Sequence, residues 1–300
     1  MIVTLTLNPA IDRTLWLTSA LQRQGLHRTT RVEEVPGGKG INVAGTLLDL
    51  GQEVLALTFR AGLNGERLAR LLERRRIPHQ LVEVDGETRE CQTLIDPSGA
   101  LTEVYERGSA IGPADLYRLS TLIPQACDLW ISVSGSLPPG LSLADFSEWL
   151  VGLKSLGHLA VDTSGPALGT AIEARPYLVK PNQDELVATG LSAQQIWQQH
   201  GVGVLLSRGA DGLEYHGPQG SYIQDAASIK PVNAVGAGDA TLAGFLMAQA
   251  QRLPIVEALA LAAACGAANA EEAGAGSVQP ARVEQLRQTI AAAQMLEVAQ

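Results

Sequence analysis

MIVTLTLNPAID, residues 1–12, runs six apolar or β-branched residues, Ile2 to Leu7, straight into a polar loop that contains a proline. The alternation of Ile, Val, Thr and Leu predicts a buried strand. The same unit recurs along the chain. Val54–Phe59 reads as a strand, Leu129–Val133 as one ending in SGSLPPG, Leu159–Val161 as another, Tyr177–Val179 as one ending in KPN and Val202–Ser207 as one ending in RGADG. Helical spacing falls between them. Ile41–Leu50 has apolar residues at 43, 47, 48 and 50 with a Gly51 stop, and Glu66–Arg76 and Phe146–Leu156 follow the same period. Alanine-rich helices are predicted at about 239–251, 255–272 and 281–296.

Strands alternating with helices predict an α/β fold: a mostly parallel sheet with helices on both faces, a three-layer α/β/α sandwich. Ligands in such sheets sit beyond the carboxyl ends of the strands, where the polar loops lie. Two stretches leave this rhythm. Residues 12–35 (RTLWL, HRTTRVEEV) and 88–107 (TRECQTLID, ALTEVYERG) read as hairpins, with DPSG at 96–99 as a turn. They predict a small β lid made of two separate pieces. No repeat or linker divides residues 1–300, so a single domain is expected.

Composition narrows the function. With 46% hydrophobic and 18% charged residues the chain suits a globular protein, and a net charge of −9 argues against a nucleic-acid or anionic-membrane binder. Cys91, Cys127 and Cys265 form no C-x-x-C pair, which suggests a reducing, cytoplasmic setting without a cysteine zinc site. The N-terminus lacks the basic region and long apolar run of a signal peptide, and no stretch is expected to span a membrane. The five histidines show no metal-ligand spacing. The arginines of 66–76 are expected to form a solvated face.

Four loops carry chemistry. VNAVGAGDATLAGF (232–245) places Gly236, Ala237 and Gly238 before Asp239 at a helix start. Glycines let successive N–H groups turn into one concavity, and the helix end adds unpaired N–H groups and positive dipole, an anion hole fit for phosphate. Asp239 is then either an acid favoured by that dipole or a general base for an attacking hydroxyl. PGGKGINVA (36–44) offers Gly37, Gly38, Lys39 and Asn42, but Ile41 replaces the hydroxyl residue of a Walker A loop. NPAID places Asn8 and Asp12 after the first strand, where Asp12 either accepts from sugar hydroxyls or caps a turn. KPNQDE (180–185) spaces Asn182 and Glu185 three apart on one helical face. That fits Mg²⁺ held through water, or an N-terminal capping pair. GAGDAT lacks the last small residue of a dinucleotide fingerprint.

NPAID, GGKGINVA, SGSLPPG, DTSG (162–165), KPNQDE, SRGADG and VGAGDA follow one another in this order. Together they resemble the PfkB or ribokinase-like carbohydrate kinase family over about residues 1–280. NPAID and Lys39 point to its hexose-phosphate branch: 1-phosphofructokinase, tagatose-6-phosphate kinase and the minor type of 6-phosphofructokinase. The resemblance implies a ribokinase-like fold that transfers phosphate from ATP, with Mg²⁺, to a ketohexose phosphate. Fructose 1-phosphate ranks first, although GETREC and VNAVGAGDAT look more like tagatose-6-phosphate kinase. It implies Asp239 as base and Gly236, Ala237 and Gly238 as anion hole. Asp12, Gly38, Lys39 and Asn42 would hold the sugar, with Arg89 and Arg107 on its phosphate. Lys180, Asn182, Ser207, Gly209, Gly212 and Asn269 would lie along the nucleotide, and Glu185 with Asn182 would hold Mg²⁺ through water. It also implies a homodimer paired through the lids. Arg208 and Ala234 depart from the family pattern at positions that carry no chemistry. A non-catalytic sugar-phosphate sensor on the same fold is the alternative of a different class.

Overall fold

The computed structural model describes residues 1–272 and 274–296. The first half of the chain forms β1 (Ile2–Thr6), β2 (Ala10–Leu17), β3 (Thr29–Gly37), α1 (Lys39–Asp49), β4 (Val54–Arg60), α2 (Gly62–Arg75), β5 (His79–Glu83), β6 (Arg89–Ile95), β7 (Leu101–Tyr105), α3 (Pro113–Ser120), β8 (Trp130–Ser134) and α4 (Leu143–Leu153). The second half forms β9 (His158–Asp162), α5 (Pro166–Ala174), β10 (Leu178–Val179), α6 (Gln183–Thr189), α7 (Ala193–His200), β11 (Gly203–Ser207), β12 (Leu213–Gly217), β13 (Gly220–Gln224), α8 (Ala237–Ala250), α9 (Ile255–Ala270), α10 (Pro280–Thr289) and β14 (Gln294–Met295).

Ten strands make the large sheet in the order β14-β13-β12-β11-β10-β9-β8-β1-β4-β5. From β11 through β5 every pairing is parallel, and β12, β13 and β14 extend it antiparallel. The chain starts at β1, moves out through β4 and β5, and returns to β8 on the other side of β1. The crevice between β1 and β8 is therefore the switch point at which such sheets bind ligands.

Side chains alternate across the sheet and feed two apolar cores. On one face, Ile2 packs with apolar residues of α1, α2, α8, α9 and α10. On the other, Val3 and Leu5 pack with those of α3, α4, α5, α6 and α7. Gly244 lets α8 approach α9 closely: a Cβ there would sit 2.8 Å from the Cys265 sulfur and 2.9 Å from the Leu261 carbonyl. Gly266 faces the Thr241 hydroxyl in the same contact. The small residues after Asp239 are thus a packing surface.

A separate sheet, β3-β2-β6-β7, stands over one end of this body. The β2–β3 and β6–β7 pairs are antiparallel hairpins joined by the parallel pairing of β2 with β6. Asp96 closes the second hairpin by accepting from the Ser98 N–H.

Several expectations need correction. The last helix ends at Thr289, not 296, and Gln294–Met295 instead adds an edge strand to β13. The hairpin β12–β13, with its Gly217 and Gly220 ends, lies outside the expected alternation. The arginines of α2 are not simply solvated. Arg67 pairs with Glu34 and Glu90, Arg74 donates to the Glu34 carbonyl, and Arg75 pairs with Asp49. An amphipathic helix whose polar face meets another sheet needs that charge for contact, which spacing alone does not reveal. Among the described residues no helix is long and apolar enough to cross a membrane.

Candidate active site

Three glycines open α1, each for a separate steric reason. Gly37 faces the Asp12 carboxylate, where a Cβ would overlap it. Gly38 has φ +111° and lies against the Thr6 methyl, in a conformation that favours glycine. Gly40 sits on β1, where a Cβ would meet the Thr6 hydroxyl and stand 2.9 Å from the Leu5 carbonyl. The loop is shaped by packing against β1 and β2, and that packing fixes where Lys39 and Asn42 point.

Lys39 reaches β9. Its Nζ lies 2.8 Å from Asp162 Oδ1, and Lys180 Nζ lies 3.2 Å from Oδ2 of the same carboxylate. Asp162 is fully buried, and a buried carboxylate between two ammonium groups is neutralised by them. Burial alone would raise its pKa, but Lys180 and Lys39 hold it below the usual carboxylate range. Asp162 in turn, against burial, pushes the Lys39 ammonium above its ordinary range. Asp162 ends a strand inside DTSG, and an acid at a strand's carboxyl end, level with KPN on the next strand, is the signal that marks it.

Asp239 is the second buried carboxylate, 5% exposed, in the first turn of α8. Asn42 donates to its Oδ2 at 2.8 Å. Its pKa is pushed up to about 7: burial raises it most and Asp162 adds to that, while Lys39, Asn42 and Lys180 pull it down. A carboxylate in that range accepts a proton readily near neutral pH.

The helices start in two ways, and α8 belongs with α1, α2, α5, α9 and α10, which have no side-chain cap. Ser142, Asn182 and Ser192 cap α4, α6 and α7 with their side chains. No side chain caps α8, whose N-cap Gly236 has φ +85°. The Ala237 N–H donates to the Ala234 carbonyl at 3.2 Å, while the Gly238 and Asp239 N–H groups, with no carbonyl of their own helix to meet, are left for something outside it. A Cβ on Gly238 would lie 3.2 Å from Lys180 Nζ, so an ammonium stands beside those N–H groups. The combination suits an anion.

The other wall comes from β1, β2 and β6. Asn8, just past β1, donates to the Arg107 carbonyl at 3.3 Å and to Ser136 Oγ, just past β8, at 3.2 Å. That second bond spans the switch point. Arg89 donates to the Glu106 carbonyl and, at 3.1 Å, to the Asn8 carbonyl, while its Nε is buried without a partner. Asp12 pairs in register with Cys91 and its pKa rises to about 6, because burial outweighs Arg89 and the Cys91 hydrogen bond. Arg107 is exposed and joins the network through its carbonyl.

On the remaining side, Asn182 and Glu185 form a reciprocal capping box: Asn182 Oδ1 accepts from the Glu185 N–H and Glu185 Oε2 from the Asn182 N–H. Ser207 donates from N and Oγ to the Pro181 carbonyl, fastening β11 to this loop. Gly209 (φ +58°) and Gly212 (φ +85°) make the following turn, and Arg208 folds onto the Asp211 carbonyl and Glu214. Asn269 is fully buried and donates to the Ser277 carbonyl at 2.9 Å, which seats it behind the Gly236 turn. Among the described residues no group of three His, Cys, Asp or Glu converges as a metal cage. Glu185 keeps Oε1 outside its cap, a donor set that fits a magnesium ion held through water and phosphate oxygens.

The geometry thus draws Asp12, Lys39, Asn42, Arg89, Lys180 and Asp239 toward one crevice. Asn8, Ser136 and Asp162 are further parts that sequence reasoning gave no role.

The pattern of the family described as "pfkB family carbohydrate kinase" matches residues 3–282. The chain is 34% identical over 307 residues to a 1-phosphofructokinase of Rhodobacter capsulatus, covering 96% of each. Among solved structures, phosphofructokinase-2 from Escherichia coli in complex with potassium superimposes with a TM-score of 0.90 at 27% identity, over 96% of this chain and 98% of that one. A possible 1-phosphofructokinase from Thermotoga maritima shares the fold with a TM-score of 0.83 at 22% identity, over 99% and 100%.

Proposed function

The chain belongs to the pfkB family of carbohydrate kinases, and on that premise we propose that it transfers the γ-phosphate of ATP to a ketohexose phosphate, fructose 1-phosphate first among them, to give the bisphosphate. The observation that carries this reading is Asp239. It is a buried carboxylate with a pKa near 7, held by Asn42 at the uncapped start of α8, beside Lys180.

In this reading the acceptor hydroxyl gives its proton to Asp239 as its oxygen attacks phosphorus. A positioned base contributes about 10²–10⁴-fold. Negative charge spreads over the transferred oxygens, and the Gly236 and Gly238 N–H groups with Lys180 stabilise it, the Ala237 N–H being held by the Ala234 carbonyl. Glu185 and Asn182 would hold Mg²⁺ through water, and the ion would neutralise charge on the ATP phosphates. Asp12 and Asn42 orient the sugar, and Arg89 takes its existing phosphate in a forked contact. Lys39 joins the phosphates from its tether on Asp162. The small sheet closes as a lid that keeps water from the transferred group.

The reading includes a second copy of the chain against the small sheet, where Val32 and Val104 are exposed on one face and Leu101 and Tyr105 on the other, and a cytoplasmic setting in keeping with three free cysteines. The test is ADP release with Mg-ATP against fructose 1-phosphate, fructose 6-phosphate, tagatose 6-phosphate, fructose and ribose. A preference of about tenfold in kcat/KM for one sugar phosphate, some 1.4 kcal/mol, names the acceptor. Preference for an unphosphorylated sugar overturns the Arg89 contact. Silence with ATP still bound indicates a sensor.

A further inference from the structure

Successive residues of a strand face opposite sides of its sheet. On β2 and β6 this separates two sets of residues. Asp12, Arg89 and Cys91 share one face of the small sheet. Arg13 and Glu90, their neighbours in sequence, lie on the other, with Glu34 of β3 directly across from Arg13.

That second face carries a closed ring of alternating charge. Arg13 Nε lies 3.0 Å from Glu34 Oε1, and Arg13 Nη1 3.0 Å from Glu90 Oε2. Arg67, from α2, engages the same two carboxylates. Its Nη1 is 2.9 Å from Glu90 Oε1, its Nε 3.1 Å from Glu34 Oε2, and its Nη2 also meets Glu34. The four side chains are 14–29% exposed, so water screens them only in part. Each has two partners, so its ordering is shared between two contacts, unlike an isolated surface pair. Despite burial that raises it, Glu90 is held below the ordinary carboxylate range by Arg13 and Arg67. Arg67 itself is rigidly rooted, since the next residue, Leu68, is fully buried in the core of the body.

We propose that Arg67 is a positioning residue for the sugar phosphate: from the body of the molecule it grips the outer face of the small sheet, holding β6 directly through Glu90 and β2 by way of Glu34 and Arg13, while the inner face presents Asp12 and Arg89. The proposal rests on the reading that these two residues contact the acceptor. Glu90 and Arg89 are consecutive, as are Arg13 and Asp12, so a displacement of the ring is passed directly to both. A misplacement of about 1 Å can reduce turnover ~100-fold.

The test uses Arg67→Ala, Arg67→Lys and, as an exposed control on the same helix, Arg70→Ala. KM for sugar phosphate and for Mg-ATP is measured separately, and deuterium exchange is followed in β2, β6 and β8 of the ligand-free protein. Arg67→Ala is expected to raise the sugar-phosphate KM ~10-fold, leave the ATP KM within about twofold, and speed exchange in β2 and β6 but not β8. Arg67→Lys restores part of the effect, because lysine keeps the charge but cannot fork onto a carboxylate. Arg70→Ala matches wild type. Unchanged exchange and KM in Arg67→Ala, or a rise of both KM values with faster exchange in β8, overturns the proposal. Should Arg67→Ala fail to fold, Arg67→Lys alone must show the same split at smaller size, and its absence is equally fatal. If the wild type phosphorylates no sugar phosphate, the functional reading falls, while exchange in β2 and β6 still decides the grip.

Discussion

Asn42 donates from Nδ2 to Oδ2 of Asp239 at 2.8 Å, joining two residues 197 positions apart. Both come from the first turns of their helices, α1 and α8. The bond fixes one oxygen of the carboxylate and leaves the other for a substrate proton. It also links the glycine loop that packs on β1 to the helix end that would receive a phosphate.

Asp239→Asn tests the base. It should keep ATP binding, measured by titration, and lose about 10²–10⁴-fold in kcat. It should also stabilise the protein. The folded pKa, about 7, lies above the unfolded value of 3.8, so ionisation is harder in the folded state. Stability therefore falls as pH rises from near 4 through about 7, and the asparagine removes this penalty, on the order of a few kcal/mol. Denaturant unfolding of the two proteins should agree near pH 4 and diverge by pH 8. Equal stability at pH 8 would show that Asp239 is not perturbed.

The pH profile carries the signs of its neighbours. Activity should decline as pH falls through about 7, where Asp239 takes up its proton. Lys39 pulls that pKa down and Asp162 pushes it up. Lys39→Met should move the acid limb of kcat/KM to higher pH, and Asp162→Asn should move it to lower pH. Shifts of the same sign in both variants would remove Lys39 and Asp162 from control of Asp239.

The capping box can be separated from any role toward nucleotide. Asn182→Ala and Ser192→Ala each delete a side-chain cap, of α6 and α7, and each should destabilise by about 1 kcal/mol. Only Asn182→Ala should raise the KM for Mg-ATP. If both variants leave it unchanged, Asn182 serves the helix alone.

Gly40 and Gly169 should respond oppositely to alanine. At Gly40 a methyl group meets the Leu5 carbonyl and Thr6, and overpacking of this kind destabilises by about 1–3 kcal/mol. At Gly169, inside α5, a Cβ would meet nothing within 4 Å beyond its own helix backbone, and alanine should stabilise by about 0.5–1 kcal/mol through lower chain entropy. Chemical denaturation distinguishes the two. A stable Gly40→Ala would mean that α1 can shift away from β1 freely.

The strands and most helices were legible because their signals are local. Apolar runs of five or six residues, a stop glycine and a polar loop each express backbone and burial preferences within one segment. VGAGDA and KPNQDE likewise carry their turn chemistry in consecutive residues, so both loops and Asp239 could be found without a fold. Partnership could not be read this way. Asp162 gains its role only from two ammonium groups brought in by α1 and by the end of β10, and Asn42 and Arg67 only from carboxylates on distant elements. Whether a charge is solvated, paired or forced to share a buried site depends on which elements pack together. That is a long-range outcome of the two cores, and so only the tertiary structure decided it.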